Sequence, residues 1–241
     1  MRIREILKFS LIDYPGKISA VVFVPGCNFN CPACHAKKIL DEVPLIKEEE
    51  FFKYLAGARQ WVNGVVVCGG EPTFDADLVP FARRLAAAAI PVKLDTNGSA
   101  PQVLERLLDE KLIAYAALDV KGPPRLLDNI TGTVPAPEAI KRSIRAIAGF
   151  PDYEYRTTAA PVLRGDGKIS FLTAAELADT AAMITEITGS DDHKYFIQKF
   201  VPRKEGLLDK RLESFPQTPL PLLEEMKAEV SKYLPKCEIR A

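Results

Sequence analysis

Ser19-Ala-Val-Val-Phe-Val24 runs directly into Pro25-Gly26-Cys27-Asn-Phe-Asn-Cys31-Pro-Ala-Cys34. A short apolar, β-branched run that breaks at proline and glycine reads as a buried strand. Three cysteines follow at its C-terminal end, which in α/β barrels is the face that carries the chemistry. A strand that delivers a thiol loop is therefore the first unit of the fold.

Similar runs recur along the chain. Gly64–Cys68, Pro91–Asp95, Tyr115–Val120, Tyr153–Thr158 and Lys194–Phe200 are further strand candidates. Val65-Val66-Val67 is continuously apolar, as expected of a parallel strand covered by helices. The intervening segments have helical spacing. Leu104, Leu107 and Leu108 share one face, as do Ile140, Ile144 and Ile147, and Leu177, Ala181 and Ile184. Pro101 falls near one helix start and Gly149 just past another helix end. Strand–helix alternation with short connections predicts right-handed βαβ units and a parallel sheet. The fold class expected is α/β, a partial (β/α)6 TIM-like barrel, with a doubly wound open sheet as the alternative.

Residues 1–241 are read as one domain, with the core barrel at about 18–200 and a loop and C-terminal helix over 201–241. Arg2–Lys17 is expected to form a hairpin or flap, and Pro202–Pro221 a long loop. Leu223, Met226 and Val230 share a face of the final helix. Trp61 and the Phe51-Phe52 pair read as helix core, and His193 as a solvated turn residue. No internal repeat or low-complexity tract is visible.

Lys plus Arg equals Asp plus Glu at 32 each, so no net field points to nucleic acid or acidic lipid. The first residues, MRIREILKFS, lack the apolar core of a signal peptide, and no run approaches a membrane span. A cytoplasmic protein is expected, with no nucleic-acid and no membrane partner.

Five cysteines, three of them in the Cys27–Cys34 loop, do not make a secreted disulfide framework. Reduced thiols holding a metal fit better. A structural zinc needs a fourth ligand, and His35, Cys68, His193 and Cys237 are unpaired candidates. Three thiolates on a 4Fe-4S cluster leave one iron open for a small ligand, which favours the cluster over zinc. Cys68, in an apolar strand, reads as an inert buried thiol, and Cys237 as an isolated tail residue.

Gly69-Gly70-Glu71-Pro72 after the second strand and Asp95-Thr96-Asn97-Gly98 after the third join the cysteine spacing in one ordered set. In that order they resemble the radical S-adenosylmethionine (SAM) superfamily. Phe9–Gly16 (FSLIDYPG), Leu118-Asp-Val-Lys121 and Tyr155-Arg-Thr-Thr158 extend the match. The whole is similar to the activating proteins of anaerobic ribonucleoside-triphosphate reductase, relatives of pyruvate formate-lyase activating enzyme. Where that family usually carries an aromatic residue before the third cysteine, this chain has Ala33.

The resemblance implies one 4Fe-4S cluster on Cys27, Cys31 and Cys34, and SAM bound on its open iron. It implies SAM contacts from Ala33, His35, Gly69, Gly70, Glu71, Asn97, Asp119 and Lys121; Arg156 and Gln198, polar residues in otherwise strand-like runs, are expected to line the same site. It also implies a sodium or potassium ion on Asp95, Thr96 and Asp119. The plainer readings stand beside these: a tight turn for Gly69-Gly70, helix capping for Asp95 and Asn97, solvent-facing positions for Arg156 and Gln198. Function by resemblance is an oxidoreductase that cleaves SAM to a 5′-deoxyadenosyl radical and leaves a glycyl radical on a partner enzyme. A flavodoxin- or ferredoxin-type electron donor is the second partner implied. A small-molecule radical SAM enzyme of the deazapurine synthase type and a zinc-stabilised binding module are the alternatives.

Overall fold

The computed structural model describes residues 1–40 and 45–240. The first half of the chain runs β1 (Glu5–Ser10), β2 (Ser19–Val24), α1 (Lys37–Leu40), α2 (Glu48–Ala58), β3 (Gly64–Gly69), α3 (Leu78–Ala87), β4 (Val92–Thr96), α4 (Pro101–Asp109) and β5 (Tyr115–Asp119). It continues through α5 (Leu127–Thr131), α6 (Pro137–Ile147), β6 (Tyr153–Thr158), β7 (Pro161–Leu163), β8 (Ile169–Phe171), α7 (Ala174–Thr188), β9 (Tyr195–Gln198), α8 (Leu220–Val230) and β10 (Cys237–Arg240).

Eight strands form one sheet in the order β1-β2-β3-β4-β5-β6-β9-β10. Every pair from β2 to β10 is parallel, and only β1 runs antiparallel, against β2. The six expected strands are β2, β3, β4, β5, β6 and β9, so the open (β/α)6 barrel is present. The order is sequential, with no reversal as in a doubly wound sheet.

Helical faces fall where the spacing predicts. Ile140, Ile144 and Ile147 of α6, and Leu177, Ala181 and Ile184 of α7, are buried against the outer face of the sheet. A capping box starts α7, with Thr173 accepting the Glu176 N–H and Glu176 accepting the Thr173 N–H. Gly189, in a left-handed conformation, ends it. Pro101 and Pro137 sit in the first turns of α4 and α6, where a missing N–H costs nothing.

The expected N-terminal flap is β1, an edge strand paired with β2. The C-terminal segment adds more than a helix: Cys237 lies buried in β10, which pairs with β9 through Cys237 and Tyr195. Four residues are too few for a periodic signal. The same applies to β7 and β8, three residues each, which form a separate hairpin.

Two expectations fail. Trp61 is 64% exposed, because α2 ends at Ala58 and the indole falls in the turn beyond it. His193 is buried rather than solvated, since both ring nitrogens find partners at 2.8 Å, the Tyr153 and Thr188 hydroxyls. Phe51 is fully buried and stacks at an angle on Phe52 and Phe81, as expected of helix core.

Candidate active site

Parallel strands put all their C-terminal ends on one side, and the loops there enclose a cavity of about 430 Å³. Cys27, Cys31 and Cys34 line it, with Gly69, Gly70, Glu71, Asp95, Thr96, Asn97, Asp119, Lys121 and Arg156. Residues 129 positions apart in sequence, Cys27 after the first parallel strand and Arg156 in the fifth, thus meet at one mouth.

The loops after β2 and β3 are packed almost backbone to backbone. A Cβ on Gly70 would stand 1.6 Å from the Gly26 carbonyl oxygen, and one on Gly69 would stand 2.7 Å from Val24 backbone atoms. Gly69 also holds φ at +112°, outside the reach of ordinary L residues. The Gly70 N–H donates to the Val24 carbonyl and the Glu71 N–H to that of Gly26, both at 2.9 Å. The glycine pair therefore has a structural task, the close seating of the cysteine loop.

Glu71 is the clasp of this mouth. Its carboxylate accepts the Thr73 N–H and hydroxyl at 3.0 and 2.6 Å, the Thr96 hydroxyl at 2.7 Å and the Asn97 N–H at 2.7 Å. Burial raises its pKa, and the four donors oppose that rise. Thus one buried carboxylate ties the loop after β3 to the loop after β4. Asn97, held there, directs its amide to the Asn28 side chain at 3.1 Å and to the Cys27 sulfur at 3.8 Å.

Below the thiols lies a column of charge on the inner faces of β4, β5 and β6. Arg156 Nε donates to Asp119, and Arg156 Nη1 stands 3.1 Å from Asp95. Lys93 pairs with the other oxygen of Asp95, and Lys121 with the other oxygen of Asp119 at 2.9 Å. Against burial, which raises both, Arg156 with Lys121 holds the Asp119 carboxyl far below its usual range, and Arg156 with Lys93 lowers that of Asp95. Arg156 thus faces inward, and its cation is fully matched.

The residues expected as alkali-cation ligands each have partners within the chain. The carboxylates of Asp95 and Asp119 are taken up by Arg156, Lys93 and Lys121, and the Thr96 hydroxyl turns to Glu71. Gln198 stands outside the cavity lining, where its side-chain oxygen accepts the Thr158 hydroxyl at 3.4 Å.

The three thiols are free. Burial pushes the Cys27 thiol up to about 11 and raises that of Cys31, while the Lys121 ammonium pulls both back. Such a set suits a cationic iron–sulfur group, which stabilises thiolates that burial alone disfavours. The cysteine loop is anchored on two sides: the Asn30 N–H donates to the Thr131 carbonyl at 2.8 Å, and the Asp209 N–H to the Pro32 carbonyl at 3.0 Å. Asp209 belongs to the segment 202–219, so that loop crosses the cysteine loop. Its Leu207 and Leu212 pack with Phe200 against Ala33.

Lys93, Arg203 and Phe200 were not singled out from sequence. A lysine inside Val92-Lys-Leu-Asp-Thr96 was a usable signal, because it alternates with Leu94 and shares a face with Asp95. For Arg203, which lines the cavity from an irregular loop, no pattern existed.

With this geometry in hand, comparison with known proteins is direct. The model of the radical SAM superfamily matches residues 21–178. The chain belongs to the radical SAM superfamily. A Methanocaldococcus jannaschii protein named as a glycyl-radical enzyme activating enzyme is 33% identical, over 98% of this chain and 94% of its own length. A 7-carboxy-7-deazaguanine synthase of Clostridium acetobutylicum is 29% identical over 49% of this chain and 53% of its own. Among solved structures, Streptococcus suis SuiB bound to SAM superposes with a TM-score of 0.66 at 13% identity, covering 92% of this chain and about half, 52%, of that one. A domain of pyruvate-formate lyase-activating enzyme from Bacteroides vulgatus gives 0.53 at 16% identity, covering 74% and 99%. At these identities the two superpositions speak for the fold alone. This radical SAM chain is accordingly an enzyme of a family that uses a 4Fe-4S cluster and SAM. Among the described residues no helix is long and apolar enough to cross a membrane.

Proposed function

We propose that this radical SAM enzyme is an activase that installs a glycyl radical on a partner protein, with anaerobic ribonucleoside-triphosphate reductase as that partner. The observation that carries the activase reading is the near end-to-end match to the M. jannaschii protein named as a glycyl-radical enzyme activating enzyme; the choice of reductase rests on the motif resemblance alone. The deazaguanine synthase likeness spans only half of the chain. A second support is the barrel interior. Its inner wall is closed by the Lys93, Asp95, Asp119 and Arg156 ion pairs beneath the thiols, which suits a substrate presented at the mouth by another protein.

Cys27, Cys31 and Cys34 would hold the cluster, and its open iron would take the amino and carboxylate groups of SAM. When bound, the two supply a 5′-deoxyadenosyl radical, the species that removes a hydrogen atom from a glycine Cα. The chain's own part is position and seclusion. Backbone at Gly69 and Gly70 lies open at the cavity wall for the methionyl ammonium, and Glu71 fixes that turn. Asn97 and Lys121, with Asp119 and Arg156 behind them, orient the polar end of SAM, and backbone around Ala33 and His35 meets its adenine end. The electron comes from a flavodoxin- or ferredoxin-type donor.

The test begins with anaerobic iron–sulfide reconstitution, reduction and addition of SAM. The protein is then mixed with the host's anaerobic ribonucleotide reductase. Electron paramagnetic resonance should show a glycyl-radical doublet that Cys31→Ala abolishes. Release of 5′-deoxyadenosine with no doublet would move the search to another substrate, a small deazapurine precursor first.

A further inference from the structure

The outer lip of the mouth carries cations that no acid answers. Exposed cations elsewhere, such as Arg83, Arg125 and Arg142, each meet a carboxylate at 2.6–2.7 Å. Lys37, Lys38, Lys199, Arg203, Lys204 and Lys210 have no ion-pair partner among the described residues. They come from two segments that lie together, because the His35 ring rests on Phe200 and the Asp209 N–H donates to the Pro32 carbonyl. Ala36, Ile39 and Leu40 line the cavity, which turns Lys37 and Lys38 to the opposite, outer side of α1. Val201, 45% exposed, gives the lip an apolar centre between Lys199 and Arg203. Of the acids in 199–213, Asp209 is taken by Arg211 at 2.6 Å, which leaves Glu205 and Glu213.

We infer that this lip is the docking surface of the electron donor, a small protein with an acidic face around its redox group. The inference rests on the reading that the cysteine loop holds the cluster, and it is independent of the substrate that the radical meets. Three features carry it. The lip adjoins the cluster ligands: the Ala36 N–H, one residue before Lys37, donates to the Cys34 sulfur at 3.4 Å. A donor seated there passes one electron from outside and leaves the cavity free for SAM. The donor is oxidised by one electron and the cluster reduced by one, with no bond made or broken. Secondly, with 32 cations and 32 anions the chain has no net field to draw an acidic protein, so attraction has to come from a local patch. Thirdly, lysine is depleted in interfaces that stay closed, and a lysine-rich lip around a small apolar centre suits the weak encounters that electron carriers make. That favours the donor over the glycyl-radical partner, which must stay seated while a hydrogen atom is removed.

Fluorescence anisotropy of a dye-labelled, oxidised acidic flavodoxin, titrated with the anaerobically reconstituted protein, tests this without turnover. Lys204→Glu with Lys210→Glu should weaken binding about tenfold at about 20 mM salt, and the gap should close at about 0.5 M. Arg59→Glu with Lys111→Glu makes the same change in net charge in the exposed turns ahead of β3 and β5, at the far ends of the strands. That variant should bind within about twofold of the parent, since distant charges are screened. With reduced flavodoxin, the rate of cluster bleaching should fall in the Lys204/Lys210 variant alone. With photoreduced 5-deazariboflavin, a small uncharged reductant, all three proteins should bleach alike. Equal flavodoxin affinity in the parent and the Lys204/Lys210 variant would overturn the docking surface and leave the cluster reading in place. So would a variant that takes electrons from flavodoxin normally but loses the glycyl-radical doublet under deazaflavin, because the lip would then belong to the acceptor of the radical. A chain that takes up no iron on reconstitution would overturn the cluster reading itself.

Discussion

The two faces of the same parallel strands have opposite chemistry. Outward, Val65 and Val67 of β3, Leu94 of β4, Leu118 of β5 and Tyr155 of β6 are buried in the apolar layer shared with the helices. Inward, β4, β5 and β6 carry Lys93, Asp95, Asp119, Glu154 and Arg156, tied into ion pairs, beside a small apolar cluster of Val21, Val66, Tyr115 and Ala117. A closed eight-stranded barrel fills its interior with apolar side chains. In this open one, part of the inner face beneath the mouth is given to charge, paired across β4, β5 and β6. Folding free energy comes mainly from the outer layer, and the inner layer sets up the site.

The largest effect that separates the faces is expected from Arg156. Arg156→Met leaves Asp95 and Asp119 with one cationic partner each, Lys93 and Lys121, in a buried setting. Breaking a buried pair from one side costs roughly 3–5 kcal/mol, and the remaining lysines place this change near 3. Urea unfolding should show that loss together with the loss of SAM binding. A variant as stable as the parent would mean the carboxylates are hydrated and that the inner column contributes nothing to the fold.

The next effect is the converse. Leu94→Ala, one residue from both Lys93 and Asp95 but on the outer face, removes fully buried methyl groups and leaves a cavity, at a cost of about 3 kcal/mol. SAM affinity of the folded protein should be unchanged, measured well below the new melting temperature. A tenfold drop in affinity would show that the layers are mechanically coupled, and the two-face division would fail.

Much of this division is legible in the sequence. Val92-Lys-Leu-Asp-Thr96 and Tyr153-Glu-Tyr-Arg-Thr-Thr158 alternate with period two, so Lys93 and Asp95 must share one face of their strand, and Glu154 and Arg156 one face of theirs. Which face is inside was not legible, because an alternating strand reads the same whether its polar side meets water or a charged interior. The cysteine loop and the turns after β3 and β4 were legible from spacing, since glycines and thiols are rare enough to signal. Glu71 was legible as a site residue but not as a clasp, because its four donors come from two loops 25 residues apart. The segment 202–219 was legible only as a loop. Its contact with Ala33 through Leu207 and Leu212 depends on tertiary packing that no local period encodes.

The smallest effect tests a polar group on the outer side. His193 is wedged against Tyr155 with ring centroids 5.4 Å apart and bonded to Tyr153 and Thr188, and burial lowers its pKa despite the nearby Asp192 and Asp191. The unfolded chain, with histidine near its usual pKa of about 6.5, therefore binds more protons than the folded one as the solution acidifies. The contribution of the neutral ring is complete above about pH 6.5 and is lost as pH falls through the folded-state value. Urea midpoints taken from about pH 7.5 down to about pH 5 should fall more steeply for the parent than for His193→Gln, which keeps a donor and an acceptor but cannot titrate. Parallel slopes would mean that the ring charges in place. The outer layer would then tolerate a cation as readily as the inner one, and the contrast between the two faces would lose its physical basis.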